Sequence, residues 1–320
     1  MFEFELIRQY FLNQPVHRSD VHLGVGDDAA LVAPKPGMEL VVAADVINEG
    51  IHFPIGTDPA AIGHKVLAVN LSDMAAMGAE PAWFTMTLSL PEANHQWLDA
   101  FCTGLYQLAK DYQLQLIGGD TVQGPLSVAV QIGGYVPEGK ALLRSGAQAG
   151  DRIYVTGTLG DAAAALAIIN NKVELGQTAA DELRSKLDYP RPQVAAGLQL
   201  RGRANSAIDI SDGLVSDLGH ILESSHCGAR INIDTVPVSD CFRLYCQHGG
   251  DMQQAIQFGD DYELCFTTST DESQVNEWLK GCDCTATCVG EIVAGSGLVV
   301  VDNSGSVINM SSSGFEHFRK

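Results

Sequence analysis

Basic residues are scarce in this chain. Nineteen Lys and Arg stand against 39 Asp and Glu in 320 residues, a formal net charge of -20. Nucleic acid and anionic lipid both need a basic footprint, so neither is expected as a partner. Long apolar runs are also missing: Ala162–Ile169 is far shorter than the roughly 20 residues a membrane span needs. The opening MFEFELIRQYF has no basic stretch leading into an apolar run, so no secretory signal is read and a cytoplasmic location is expected. Eight cysteines in such a chain are expected to be reduced thiols, and none precedes Cys102. No fixed-period repeat or low-complexity tract is visible. What is abundant is apolar residue, 46% against 18% charged, enough for a sizeable core and for about two domains.

Two halves are read, 1–148 and 149–320. The first holds strand-like runs at Leu40–Ala44, Ala82–Leu88 and Ser127–Tyr135, and helix-like runs at Pro59–Met77 and Glu92–Tyr112. The second opens on a strand–glycine–helix unit: Arg152–Thr156, Gly157–Gly160, then Asp161–Asn170. A polar segment from Asn171 to Arg191 follows, punctuated by Pro190 and Pro192. Helix Asp212–Ser225 and strands Arg230–Ile233, Glu263–Thr267 and Leu298–Val301 complete an α/β (α+β) reading.

Three motifs are decoys. Gly24-x-Gly26-x-x-Ala29 imitates a dinucleotide fingerprint, but Pro34 and Pro36 leave no room for the helix whose N-terminus would hold a pyrophosphate. Gly134-x-x-x-x-Gly139-Lys140 imitates a phosphate loop with Pro137 inside it and Ala141 where a hydroxyl should hold magnesium. Cys282, Cys284 and Cys288 match no common zinc spacing and read as core or strand thiols.

What remains is a series of aspartates among small residues. Asp27 and Asp28 sit in GVGDDAA, Asp45 ends VVAAD, Asp73 lies in NLSDMAAMGAEP, Asp120 follows LIGG, and Asp209 and Asp212 flank Ser211 in AIDISDG. Any one alone reads as a cap or turn residue. Together, at strand ends and beside glycines, they can converge on a cleft where cations offset their repulsion, and magnesium accepts such oxygens while leaving positions for phosphate. Gly119 lets backbone amides approach a phosphate closely.

GVGDDAA, the strand ending at Asp45 with NEGIHF after it, NLSDMAAMGAEP, LIGGDT, LLRSGAQAGD, VTGTLGD, AIDISDGLVSDLGHI and FGDDYELCF, in that order, resemble the motif series of the thiamine-monophosphate kinase family, from about Phe4 to Phe318. That family belongs to the aminoimidazole ribonucleotide synthetase-like superfamily. The resemblance implies two α/β domains per chain, with N-terminal domains pairing their sheets across a homodimer and ATP lying against them. It implies magnesium on Asp28, Asp45, Asp73, Asp120, Asp209 and Asp212, with Asp45 and Asp120 central to catalysis. It places ATP on Gly119, Asp120, Arg144 and Ser211, and thiamine monophosphate on His52, Asp260 and Phe315. Two positions depart from the family pattern. Ala43 and Ala44 stand where hydroxylic ligands are common, and Asp260 replaces a Glu, keeping the charge with a shorter reach.

A phosphate-monoester acceptor has a second pKa of about 6, so it is already nucleophilic at neutral pH and needs no general base. That agrees with a sequence rich in Asp and without an obvious His–carboxylate pair. Direct in-line transfer assisted by several magnesium ions is therefore expected. Within the superfamily, a selenophosphate synthetase would need a reactive residue near the N-terminal glycine loop, where this chain has no Cys. The hydrogenase-maturation relative would need a C-terminal Cys, whereas this sequence reads FEHFRK there. A non-catalytic nucleotide-binding paralogue is the rival from another class.

Overall fold

The computed structural model describes residues 3–310. The chain forms two compact units, one running up to residue 74 and again over 79–140, the other comprising 75–78 and the residues from 141 onward. Residues 141–148, assigned on sequence to the first half, group with the second unit.

In the first unit α1 (Glu3–Leu6) runs on as a π-helical turn, Ile7–Leu12. Then come β1 (Val21–Leu23), β2 (Leu31–Val32), β3 (Met38–Asn48), α2 (Pro59–Ala76), β4 (Glu80–Leu90), α3 (His95–Asp111), β5 (Gln115–Gln123) and β6 (Ser127–Pro137). The main sheet has the order β3-β6-β4-β5, with only β4 and β5 parallel. α3 starts three residues later than its sequence pattern suggests because the Asn94 side chain accepts the Trp97 N–H (3.1 Å) and caps it there. Its Leu98, Phe101, Leu105 and Leu108 are buried at helical spacing. α2 and α3 meet backbone to backbone: a Cβ on Gly63 would strike the Phe101 carbonyl, and one on Gly104 the Ala60 carbonyl.

The sheet leaves one face uncovered along β3. Leu40, Val42 and Val46, on one face by the two-residue alternation, are 53%, 48% and 46% exposed. In the first decoy no helix follows the glycines, and in the second Gly134 lies within β6, where a Cβ would press on the Glu80 carbonyl.

The second unit contains β7 (Arg152–Thr156), α4 (Asp161–Ile169), α5 (Gln177–Asp188), α6 (Val194–Leu200), β8 (Ser206–Asp209), α7 (Leu214–Ser225), β9 (Gly228–Asn232), α8 (Asp240–Gln247), α9 (Gln254–Gln257), β10 (Leu264–Thr268), α10 (Glu272–Trp278), β11 (Ala286–Val293) and β12 (Gly297–Val301). Its six strands run β12-β9-β11-β7-β10-β8, antiparallel except for β12 with β9. Ile153, Val155, Ile208, Leu218, Ile221 and Phe242 lie in one core between sheet and helices. The segment read as merely polar, Asn171–Arg191, contains α5, which buries only Leu183 and Leu187. No described helix is long and apolar enough to cross a membrane.

Candidate active-site residues

In the first unit the glycine-rich strand β5 carries Asp120 into solvent. Gly119 pairs with Met86 across to β4, and a Cβ there would collide with the Met86 carbonyl, so close strand approach is what demands glycine at this point. Asp120 is exposed and its Oδ1 accepts the Thr121 N–H (2.8 Å). Gly118, Gly119, Asp120 and Thr121 line an open cleft with Val25, Met86, Leu116, Ile7 and Phe11. The GVGDD turn thus meets the GGDT strand: Val25 shares their cleft, two residues before Asp27. Asp27 and Asp28 are exposed, and the Asp27 carboxylate accepts the Asp28 N–H (2.8 Å).

Asp45 stands elsewhere. It pairs with Val130 on β6, which pairs with Met86 on β4, which pairs with Gly119 on β5. Asp120 ends the next row, through Thr87, Ala129 and Val46. The two carboxylates therefore occupy opposite edge strands in adjacent rows, three strand spacings or roughly 14 Å apart along the sheet. Within one chain they are not brought together. Asp73 is half-buried on α2. His52 lies in the turn closing β3, where its Nδ1 accepts the Asn48 N–H (3.0 Å), which places the proton of the neutral ring on Nε2.

In the second unit two loops are stitched together. The Asp260 N–H donates to the Ser211 carbonyl and the Tyr262 N–H to the Ile210 carbonyl (2.9 Å each), while Leu264 pairs with Asp209. A Cβ on Gly259 would collide with the Ser211 carbonyl, so this glycine lets the loops touch. Asp209, Ser211, Asp212 and Asp260 are thereby gathered on one loop pair. Asp260 and Tyr262 both adopt left-handed backbone (φ 67° and 53°), which is costly for non-glycine residues. The Tyr262 hydroxyl donates to Asp260 Oδ1 (2.8 Å) and fixes that shortened carboxylate. Arg144 is exposed; its loop is tied to the end of α7 by Ser225, whose hydroxyl donates to the Arg144 carbonyl (3.1 Å) and accepts the Gly146 and Ala147 N–H groups. Phe315 lies outside the described residues.

The frame beneath these loops uses carboxylates that the sequence reading passed over. Asp217, 2% exposed, accepts the N–H groups of Ser211, Asp212 and Gly213 on its Oδ2, each at 3.1 Å. Burial first, then the charge of Asp209, pushes its carboxyl up to about 8 against the pull of those amides. Asp261 accepts the Gly160 N–H with both oxygens (3.0 and 3.1 Å), and burial holds it well above the usual carboxylate range. Glu263 accepts the Thr156 hydroxyl (2.5 Å) and the Gln193 amide (3.2 Å), and burial raises it to about 7. Asp161 is raised by burial while accepting the Ser239 hydroxyl. One signal for Asp217 was available: it falls on the apolar stripe Leu214, Leu218, Ile221, where a carboxylate must have an internal partner.

The donors offered are all of the hard oxygen type that magnesium takes, through one or two carboxylates with phosphate oxygens and water completing the shell. Among the described residues no three His, Cys, Asp or Glu side chains form a closed metal cage. The eight cysteines are free, and burial raises each of the three thiols at positions 282, 284 and 288.

Residues 26–136 match the AIR synthase related protein N-terminal domain, and residues 148–303 match its C-terminal domain. The thiamine-monophosphate kinase of Escherichia coli (strain K12) is 44% identical over 318 residues, spanning 99% of this chain and 98% of that protein. The crystal structure of thiamine-monophosphate kinase from Stenotrophomonas maltophilia K279a superposes with a TM-score of 0.85 at 44% identity, covering 95% and 96% of the two chains. A ThiL structure complexed with AMPPCP and TMP, 28% identical, superposes with a TM-score of 0.79 over 98% of this chain and 96% of that one. With the aspartate motifs in order and both domain types present, the chain belongs to the thiamine-monophosphate kinase family.

Proposed function

We propose that this protein transfers the γ-phosphate of ATP directly to the phosphate of thiamine monophosphate, giving thiamine diphosphate. The observation that carries the reading is the loop pair of the second unit. It brings Asp209, Ser211 and Asp212 together on one loop, and presents Asp260 beside them on strained, anchored backbone. That is how a chain displays oxygen ligands and one substrate contact at fixed separation. In the first unit Gly119 and Asp120 border an open cleft suited to the nucleotide, and Arg144 and Ser211 are its further contacts in this reading. Magnesium, bound on Asp28, Asp45, Asp73 and Asp120 of the first unit and on Asp209 and Asp212 of the second, would neutralise the phosphate oxygens. His52, Asp260 and Phe315 would hold the acceptor. No side chain needs to remove a proton, since the acceptor phosphate is already ionised at neutral pH.

The working unit in this reading is a homodimer. The uncovered face with Leu40, Val42 and Val46 also carries Ala129, Thr87 and Asp120 in its last row, so covering it with a second copy buries apolar surface and brings Asp120 to the interface. Light scattering should give about twice the 34.1 kDa chain mass; a fully active monomer would remove the dimer from the mechanism.

ADP formation measured with ATP and magnesium, with and without thiamine monophosphate, tests the activity. Turnover should require the monophosphate, and free thiamine should be a poor acceptor. Equal phosphorylation of thiamine, whose alcohol needs deprotonation, would sink the base-free mechanism. Absence of any turnover would favour a nucleotide-binding paralogue.

A further inference from the structure

Three consecutive amides, those of Ser211, Asp212 and Gly213, point at one oxygen of Asp217. Successive backbone N–H groups converging in this way form a concavity that ordinarily receives an anion. A glycine-containing turn leading into a helix is also where phosphate is commonly held. Here the concavity is filled from inside the fold. Asp217 sits on α7, 2% exposed, and its own N–H donates to the Gly213 carbonyl (3.0 Å), so the plug is rigid. Besides these amides the loop carries the half-buried Ser211 and Asp212, and the buried Asp209 ends β8 just before it. The Ser211 carbonyl is already taken by the Asp260 N–H, and the neighbouring Ile210 carbonyl by that of Tyr262.

We propose that Asp217 is a positioning residue that sets the polarity of the 211–213 loop, occupying its anion-binding amides so that the loop meets the nucleotide and its cation through side-chain oxygens and not through backbone N–H groups. Asp217 touches neither substrate in this scheme; it acts through Ser211 and Asp212. The inference deepens the kinase reading above and rests on it for the identity of the cation. Its structural half stands on the three hydrogen bonds alone.

The scheme makes opposite demands of cation and anion binding. Asp217→Asn keeps one acceptor oxygen but sets an NH2 donor beside the three backbone donors in place of the second carboxyl oxygen, so the loop should loosen. The magnesium concentration for half-maximal ADP formation should rise five- to tenfold, with the KM for ATP at saturating magnesium changed less than twofold. Asp217→Ala empties the concavity, and titration calorimetry with formate, an anion no larger than the group removed, in the absence of metal should show binding that the unaltered protein lacks. Circular dichroism establishes that each variant is folded, and the Asn variant carries the test if the Ala variant is not. A folded Asn variant with unchanged magnesium dependence, or with lowered turnover and unchanged magnesium dependence, overturns the proposal. So does a folded Ala variant that takes no formate. If the unaltered protein forms no ADP, the kinase reading fails by itself, and formate binding by Asp217→Ala still decides whether Asp217 plugs the loop.

Discussion

The two units display carboxylates in contrasting ways. In the first, Asp27, Asp28, Asp45 and Asp120 stand exposed on turns and edge strands, and the carboxylates of Asp27 and Asp120 each accept the next amide in the chain. In the second, Asp161, Asp209 and Asp217 are buried, with Asp261 and Glu263 beside them, and each of Asp161, Asp217, Asp261 and Glu263 has named internal donors. Exposed carboxylates cost little to keep on the surface. Buried ones cost stability and return rigidity, which is useful where ligand spacing must be fixed before binding. In the proposed reading the first unit is organised by its ligands, and the second is organised beforehand.

The largest effect that can break this contrast is expected at Asp120. If its role is to face metal and phosphate, Asp120→Asn should lower turnover by roughly a thousandfold, since a neutral amide is a poor substitute for a carboxylate there. Because the side chain is exposed, the thermal unfolding midpoint should stay within about a degree of the parent. Near-normal turnover at millimolar magnesium would make Asp120 a merely structural strand residue and remove the functional half of the comparison.

A tenfold to hundredfold effect is expected at Asp260, the exception in the second unit because it is displayed rather than sealed in. Asp260→Ala should raise the KM for thiamine monophosphate by the equivalent of roughly 1.5–3 kcal/mol, the worth of one charge-assisted hydrogen bond, and leave that for ATP nearly unchanged. An unchanged constant for the monophosphate would mean that Asp260 only shapes the loop with Tyr262.

How far the sequence revealed this follows from the same contrast. The exposed aspartates were visible because glycines and small residues surround them, and the strand–turn–helix over 152–169 was visible because apolar β-branched residues give way to Gly and then alanines. β5 was overlooked because Gly118, Gly119 and Asp120 carry no strand propensity; its pairing with β4 overrides that. α5 was read as a polar segment because two buried leucines are too few to set a period. The frame carboxylates were missed because Asp261 and Glu263 look like any acidic pair beside a strand. What distinguishes them is burial against Gly160 and Thr156, more than 100 residues away in the chain. The separation of Asp45 from Asp120 could not be read from motifs at all, since it depends on strand order.

The smallest expected effect sharpens the cost side of the comparison. Glu263 is raised from 4.5 to about 7, chiefly by burial, with the Thr156 hydroxyl, the Gln193 amide and the charges of Lys186 and Arg191 opposing. A carboxyl raised in the folded state holds a proton between those values that the unfolded chain has released, so its contribution to stability falls as pH rises from about 4.5 to 7 and stays low above. The penalty at alkaline pH is at most about 3–4 kcal/mol from that displacement, and relaxation with water penetration should reduce it. Glu263→Gln keeps the shape and removes the charge. Its denaturant midpoint should exceed the parent's at pH 8 by the equivalent of about 1–2 kcal/mol, and the advantage should shrink towards zero by pH 5. Asp161, Asp217 and Asp261 are raised in the same direction, so the parent's own stability also falls across this range, but only the difference between the two proteins isolates Glu263. An advantage of equal size at pH 5 and pH 8 would show better packing instead of a relieved charge. The buried carboxylates of the second unit would then carry no measurable electrostatic cost.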